Sequence, residues 1–289
     1  MIPRAYLQEW SAKAPWPDLR QVEQDLIICR ALCDLFSAPT LRHRIAFRGG
    51  TAINKLLFAR PLRYSEDIDL MQTRAEPIDA IRETLSWLGQ CNRDRAEHSI
   101  HLIFRFAPEA DAAEKLKLKI ELNTREHESV HGVAVYPFVV ESGWYRGRAD
   151  IASFAPEEIF ATKLRALLQR RKNRDLFDLN EGLKRLSMDV DKLIDCFQRY
   201  LALEGTSINR ATAEQRMLQK MSRSLSEDVV PLLPTGVRFN EEDALAAFEN
   251  IWFALIVRFK GGPWKRSQDS IAEIRLRGIP GFLRGGVSP

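Results

Sequence analysis

The chain has 289 residues, of which 45% are hydrophobic and 28% charged, and its formal net charge is +4 at pH 7. This composition is ordinary for a globular protein of one or two domains and excludes a low-complexity or fibrous chain. The longest apolar stretch near the C-terminus, residues 244–257, is interrupted by Glu249 and Asn250 and is too short and too polar to span a bilayer. The first ten residues lack the apolar core of a secretory signal, so we expect a cytoplasmic protein without membrane contact.

The first half of the chain predicts a sheet with a few helices. Asp18 is placed to cap a helix over residues 18–36, whose apolar residues recur at helical spacing. Residues 115–123, KLKLKIELN, alternate strictly, which predicts a half-buried strand with its lysines and Glu121 on the polar face. We expect the other elements in chain order as a strand at 44–48, a short helix at 52–58, a strand from Asp67 to Met71, a helix at 76–88, a strand at 99–106 and a strand at 133–140 that ends the sheet.

From Pro156 onward the pattern is helical. Pro156 followed by Glu157 and Glu158 is typical of a helix start, with proline and acidic residues in the first turn. Strands first and helices afterwards predict an α+β protein. We expect a sheet domain over residues 1–150 and a helical domain over 151–289. Its helices are expected at residues 157–171, 174–186, 189–203 and 242–259.

The four cysteines predict no zinc site. None has the Cys-x-x-Cys spacing, and Cys29 and Cys33 lie four residues apart on a predicted helix, which indicates free thiols packed in the core. The five histidines show no spacing typical of metal ligands, so we interpret them as structural or exposed.

A Gly-Gly-Thr turn and an Asp-x-Asp strand follow one another between residues 47 and 70. Glycines let backbone N–H groups approach a ligand closely, and a helix start there favours phosphate. Period two along a strand puts Asp67 and Asp69 on one face, where a cation such as Mg²⁺ would relieve their repulsion. The candidate nucleotide-binding residues are Gly49, Gly50, Thr51 and Ser65.

Each motif by itself also has an ordinary structural interpretation. Gly-Gly-Thr is a common turn, and Asp-x-Asp is a common solvated strand edge. The two in this order, with strand-like flanks, are much more specific for a phosphate cradle and a two-carboxylate metal clamp. Lys55 and Arg48 flank the turn and are weaker phosphate candidates.

The segment GGTAINKLLF followed by RYSEDIDL resembles the AbiEii family of nucleotidyltransferase toxins, which includes the mycobacterial MenT toxins and belongs to the polymerase-beta-like superfamily. The family pattern continues with a strand bearing a lysine, and then with Lys, 10 to 17 residues and Asp-x-x-Asp. Lys163, followed by eleven residues and then Asp175 and Asp178, matches that element. The resemblance covers roughly residues 44–178. Fifteen residues separate Thr51 from Asp67, so a folded-back helix and loop must connect the two motifs.

The resemblance implies an N-terminal mixed-sheet nucleotidyltransferase fold whose cleft also receives Lys163, Asp175 and Asp178 from the helical region. It implies Mg²⁺ or Mn²⁺ on Asp67 and Asp69, and a third carboxylate on a neighbouring strand, for which Glu121 is the candidate. Without the resemblance, Glu121 equally fits a surface pair with Lys119 or Lys117. Lys163 equally fits a surface lysine, and the two later aspartates fit pairs with Arg171 or Arg174.

Basic clusters lie in the C-terminal half, around residues 165–174, 258–266 and 275–284. They fit a polyanionic partner, although basic residues also close helix C-termini and stay solvated. The candidate RNA contacts are Arg171, Lys172, Arg174, Lys265 and Arg266. The resemblance implies a toxin that transfers a nucleotide from an NTP to RNA, at the tRNA 3′ end for some members, and that is paired with a cognate antitoxin. The alternatives are a small-molecule nucleotidyltransferase of the antibiotic-modifying type and a non-catalytic nucleotide-binding module.

Overall fold

The computed structural model describes residues 2–74, 78–95, 99–109, 115–124 and 126–284. The chain divides into two compact units. The first, the sheet unit, comprises Met1–Ala155 and Leu232–Val237, and the second, the helical unit, comprises Pro156–Pro231 and Arg238–Pro289. The change of unit thus falls five residues after the expected boundary, and one short segment of the C-terminal half belongs to the sheet unit.

The sheet unit begins with two helices, α1 (Arg4–Trp10) and α2 (Leu19–Ser37). The Asp18 side chain caps α2 by accepting a hydrogen bond from the backbone N–H of Arg20, as the sequence predicts. Cys29 and Cys33 are free thiols buried in the core. Burial disfavours the thiolate and raises the pKa of Cys29 to about 12, so this thiol is a packing group.

A five-stranded mixed sheet forms the centre of this unit. Its spatial order is β1-β2-β5-β4-β3, in which β2 and β5 run parallel and the other neighbours antiparallel. Apolar side chains of alternate positions are buried, for example Ile68 and Leu70 on β2, and this alternation fixes the register. The strands are β1 (Ile45–Arg48), β2 (Asp67–Gln72), β3 (Cys91–Arg95), β4 (Ser99–Phe106) and β5 (Leu116–Asn123).

Two short helices connect strands of this sheet. Helix α3 (Gly49–Ala52) follows β1 directly and continues as one π-helical turn, Ile53–Leu57. The helix therefore begins at the first glycine of the turn and not at Ala52. After β2, helix α4 (Asp79–Thr84) and a 3₁₀ turn (Ser86–Leu88) replace the single expected helix, whose first residues, 76 and 77, lie outside the described residues.

The expected strand at 133–140 exists, but its expected place at the end of the main sheet is wrong. It is β6 (Val133–Glu141), which pairs along its whole length with β7 (Arg146–Phe154) in a separate two-stranded antiparallel sheet. The first half of β7 is charged and exposed, and only its second half, from Ile151, is buried. The alternation that marks a strand is therefore weak in β7.

The helical unit consists of helices joined by short loops from α5 to α8 and by longer segments on either side of α9. Pro156 begins α5, as predicted. A capping box between Asn240 and Asp243 begins α9, which ends at Ala254 and is followed by a 3₁₀ turn where the sequence predicts one longer helix. The helices are α5 (Pro156–Gln169), α6 (Arg174–Arg185), α7 (Val190–Leu203), α8 (Arg210–Lys220), α9 (Glu241–Ala254) and α10 (Ser267–Leu276). In the described part of the chain, every helix is too short or too polar to cross a membrane.

Candidate active site

The two aspartates of β2 lie on one face of the sheet, as the alternation predicts. Asp67 and Asp69 are partly exposed, whereas Ile68 and Leu70 between and after them are completely buried. The apolar residues anchor the strand in the core, so the carboxylates are presented from a rigid element rather than from a loop.

Gly49 lies directly against Asp69. The antiparallel pairing of β1 with β2 puts Arg48 opposite Asp69, and α3 begins at the next residue. Gly49 has φ +81°, and a Cβ on it would overlap the Asp69 carboxylate. Both facts require glycine. The two motifs, separate in the sequence, thus form one local structure.

The hydroxyl of Thr51 ties the glycine turn to the start of β2. Thr51 is completely buried, and its Oγ1 lies 2.5 Å from the backbone oxygen of Asp67 and 2.9 Å from Oγ of Ser65. This hydroxyl therefore holds β2 in place, and only the backbone N–H of Thr51 is placed to serve a ligand.

The fifteen-residue spacer folds back as a helix and loop, and Asn54 fixes it. The Asn54 Nδ2 donates to the backbone oxygen of Gly50 at 2.9 Å, and its Oδ1 accepts from the backbone N–H of Leu62 and Arg63 at 2.8 and 3.2 Å. One buried amide thus links the glycine turn to the loop that returns to β2.

Glu121 lies beside Asp69 on the neighbouring strand. The parallel register of β2 and β5 pairs Asp69 with Glu121 and Asp67 with Lys119. The Lys119 ammonium lies between the strands, with Nζ 3.1 Å from Oδ2 of Asp67 and 3.1 Å from Oε2 of Glu121. The nearby carboxylates raise the Lys119 pKa although burial opposes them. Two of the three carboxylates therefore converge on one positive charge.

The convergence of Asp67 and Glu121 on one ammonium group indicates that these side chains can also bind a divalent metal. Hard carboxylate oxygens that share one cation are a suitable donor set for Mg²⁺ or Mn²⁺. Among the described residues, no group of three or more His, Cys, Asp or Glu side chains is gathered tightly enough to hold a metal. The donor set fits the group, but its oxygens must draw together and Lys119 must move away for a metal to bind.

Both basic residues beside the turn form ion pairs with acidic side chains. Arg48 forms an ion pair with Glu126 at 2.6 Å, and Lys55 forms one with Asp25 at 2.6 Å. The Lys55 side chain is only 11% exposed and that of Asp25 only 3%. In this structure both candidates therefore serve as ion-pair partners within the sheet unit, and their contact with phosphate stays a prediction.

In the helical unit, Lys163 pairs with both aspartates of the later motif. Its Nζ lies 3.0 Å from Oδ1 of Asp175 and 2.9 Å from Oδ2 of Asp178. All three side chains are at least 90% buried. Lys163 is therefore not a surface lysine, and the alternative pairing of these aspartates with Arg171 or Arg174 is wrong. In this arrangement the triad links α5 to α6.

The basic candidates differ in their surroundings. Arg171, Lys172, Lys265 and Arg266 are exposed, whereas Arg174 is half-buried. Other members of the basic clusters have acidic partners: Arg165 pairs with Glu204 at 3.0 Å, and Arg258 with Asp191 at 3.1 Å.

The sequence offered Lys119 only as an ion-pair partner of Glu121, a pair that the structure contains, and it assigned no role to His101. The His101 Nε2 lies 3.5 Å from Oε2 of Glu121 and 2.9 Å from Oγ of Ser99. The alternation along β5 already places Lys119 and Glu121 on the same face, so the sequence does predict that these two side chains lie close together. The place of His101 depends on the pairing of β4 with β5, which no local pattern predicts.

Comparison with known proteins bears on the family and the fold of the chain. Residues 30–252 match the model of the family described as nucleotidyl transferase AbiEii toxin of type IV toxin–antitoxin systems. No curated protein matches the chain. Among solved structures, MenT4, a nucleotidyltransferase toxin of Mycobacterium tuberculosis, is 16% identical with a TM-score of 0.65 over 98% of each chain, which shows the same fold. An antigenic nucleotidyltransferase-like protein of Paracoccidioides brasiliensis is 16% identical with a TM-score of 0.38, over 69% of this chain and 89% of that one. The chain belongs to the AbiEii family of nucleotidyltransferase toxins.

Proposed function

We propose that the protein transfers a nucleoside monophosphate from an NTP to an RNA acceptor, at the tRNA 3′ end, and releases pyrophosphate. The observation that carries the proposal is the contact between Gly49 and Asp69, since it joins a phosphate-binding turn to a carboxylate pair. The family supports nucleotidyl transfer. The RNA acceptor rests on the resemblance and on the basic surface of the helical unit.

Asp67, Asp69 and Glu121 are the proposed metal ligands. Bound Mg²⁺ or Mn²⁺ would stabilise the charge on the attacking and leaving oxygens during the displacement. The three carboxylates would hold the ions from two adjacent strands, and the spacing of these side chains is set by the sheet register. Lys119 lies between two of these carboxylates, those of Asp67 and Glu121, and a metal would take over its role as counter-charge.

The backbone N–H groups of Gly49, Gly50 and Thr51 are the proposed phosphate donors. They belong to the first turn of a helix, where no intrahelical carbonyl accepts from them. Gly49 begins this turn with a positive φ, and its missing side chain leaves room for the Asp69 carboxylate beside the turn. Ser65 supports this turn through its hydrogen bond with Thr51.

Lys163, with Asp175 and Asp178, is proposed to act on the nucleotide through the family motif. The lysine charge would offset charge that develops on the triphosphate. Because Lys163 is paired with two carboxylates, binding requires it to exchange one of these partners. The aspartate that stays paired would then hold the lysine in position.

The toxin family implies a cognate antitoxin, and we propose that the reaction takes place in the cytoplasm, where NTP and tRNA are available.

The experiment that tests the proposal is incubation of the full chain with each α-labelled NTP, Mg²⁺ and total tRNA. We expect label on RNA from at least one NTP, with equimolar pyrophosphate, and no label when Asp69→Asn replaces the wild type. Parallel reactions with aminoglycosides as acceptors distinguish the small-molecule alternative, which would label the antibiotic and leave tRNA unlabelled. A protein that binds NTP but releases no pyrophosphate with any acceptor would be the non-catalytic module.

A further inference from the structure

A groove of about 730 Å³ in the helical unit is lined by five cationic side chains. They are Arg170, Arg171, Arg216, Lys220 and Arg223. The other residues described as lining it are uncharged, so no acidic side chain there balances the five charges. A concave surface of a single charge sign concentrates the electrostatic potential and attracts anions.

Two of the five cations also shape the groove. Lys220 Nζ donates to the backbone oxygen of Arg170 at 2.8 Å, and Arg216 donates to that of Leu168 at 3.3 Å. These bonds satisfy carbonyls at the C-terminal end of α5. Burial lowers the pKa of Lys220, although Asp175 and Asp228 act in the opposite direction.

The remaining three cations are not needed to satisfy the carbonyls at the C-terminal end of α5. Arg170, Arg171 and Arg223 are exposed, and the loop after α5 and the turn after α8 position them around one concavity. Guanidinium groups match phosphate oxygens with two parallel hydrogen bonds. Three exposed guanidiniums on one groove therefore form a surface suited to several phosphates.

We propose that this groove binds the phosphodiester backbone of the acceptor RNA. The inference rests on the proposed RNA acceptor and assigns its binding surface. No aromatic ring is among the described lining residues, so the groove offers a base nothing to stack on. It also offers no carboxylate for the metal that accompanies a triphosphate. Binding there is consequently independent of RNA sequence. Of the five RNA contacts predicted from the sequence, only Arg171 lines the groove.

The test compares two triple variants of the full-length protein. The groove variant is Arg170→Gln/Arg171→Gln/Arg223→Gln, which leaves Arg216 and Lys220 to hold α5. The control is Arg82→Gln/Arg185→Gln/Arg199→Gln, which removes the same charge from exposed helix positions paired with an acid three or four residues away. Dissociation constants for total tRNA are measured by fluorescence anisotropy at several salt concentrations, and those for NTP by calorimetry.

We expect the groove variant to bind tRNA at least tenfold more weakly than the control at ~150 mM salt. The salt dependence of the tRNA association constant should also be weaker in the groove variant. The magnitude of the slope of log K against log salt concentration should be smaller by about 2, because each of the three lost phosphate contacts contributes about 0.7. NTP affinity should match the control. Should the triple variant unfold, the charge reversal Arg171→Glu provides the same comparison.

Equal tRNA binding by the groove variant and the control overturns the inference, and so does a loss confined to NTP binding. Wild-type protein that shows no salt-dependent tRNA binding overturns it as well. Pyrophosphate release separates this failure from failure of the proposed chemistry. A groove variant that still labels tRNA and releases pyrophosphate like the control keeps the proposed transfer to RNA and loses only the groove, whereas wild-type protein that labels no RNA overturns the proposed function itself.

Discussion

The Asp69 carboxylate occupies the space that a side chain on Gly49 would need. The glycine is therefore tied to the aspartate sterically as well as by its backbone conformation. A substitution that leaves both motifs' polar groups intact can still disturb the site through this one contact.

Gly49→Ala should reduce nucleotidyl transfer by on the order of a hundredfold, because a displacement of about 1 Å at a catalytic group has that effect. The matched control is Gly236→Ala. Gly236 has φ +83°, against +81° for Gly49, and nothing within 4 Å of an added Cβ. Both variants should lose about 1–2 kcal/mol of unfolding free energy from the left-handed backbone. Equal activity of the two variants, measured as pyrophosphate release, would show that the contact with Asp69 is unimportant.

Lys119→Met should lower the melting temperature in EDTA by a few degrees, since about 1 kcal/mol shifts a chain of this size by roughly 2–4 °C. The cause is repulsion between Asp67 and Glu121 once their shared cation is gone. Mg²⁺ should then raise the melting temperature of the variant more than that of wild type, because no ammonium competes for the carboxylates. Lys117→Met, an exposed position on the same strand, is the control. A Mg²⁺ response no larger than wild type would count against a metal at this place.

Lys163→Met should destabilise the protein by about 3–5 kcal/mol, because it leaves two buried carboxylates without a counter-charge. A loss of activity in this variant alone is therefore uninformative. Lys163→Met/Asp175→Asn/Asp178→Asn removes the whole triad and should regain part of the stability in denaturant unfolding.

If Lys163 contacts the nucleotide, the triple variant should still show a raised KM for NTP although its fold is stable. The single variant Lys163→Arg should have a KM between those of wild type and of the triple variant, because a planar guanidinium differs in geometry from an ammonium. A normal KM in the stable triple variant would restrict Lys163 to the packing of α5 on α6.

Lys55→Met should cost about 3 kcal/mol of stability and leave the KM for NTP unchanged, because Lys55 pairs with Asp25 inside the sheet unit. Asp25 holds the pKa of Lys55 above its usual 10.5 despite burial. The stabilisation by this ion pair is therefore complete below the pKa that Lys55 has in the unfolded chain. It is lost only as the pH rises through the higher pKa that Lys55 has in the folded protein. The difference in unfolding free energy between wild type and variant should be constant from about pH 7 to 10 and shrink above that range. A changed KM would return Lys55 to the phosphate site.

Local patterns predicted the elements in which one face is buried. The strand at 99–106 and the alternation of β5 were predicted because period two is unambiguous there. The strand β3, CNRDR, was missed because four of its five residues are exposed and polar, which leaves no apolar alternation.

In the candidate site too, features set by local sequence were predictable and features set by tertiary packing were not. The shared face of Asp67 and Asp69 is a local property and was predictable. The partners of Lys55 and Lys163 were not, since Asp25 lies 30 residues from Lys55 and the choice between Asp175 and an arginine depends on helix packing. Placement of Lys119 between two carboxylates likewise depends on the parallel register of β2 and β5.

The most direct test of the central claim is the incorporation of labelled nucleotide into tRNA by Asp67→Asn/Asp69→Asn beside wild type, with unchanged circular dichroism as the check on folding. Each substitution removes a proposed metal ligand on the exposed face of β2 while the buried residues between them keep the strand in place. We predict Mg²⁺-dependent incorporation by wild type and a loss on the order of a thousandfold or more in the double variant. A double variant that retains a tenth of wild-type incorporation would contradict the assignment of this face as the catalytic metal site.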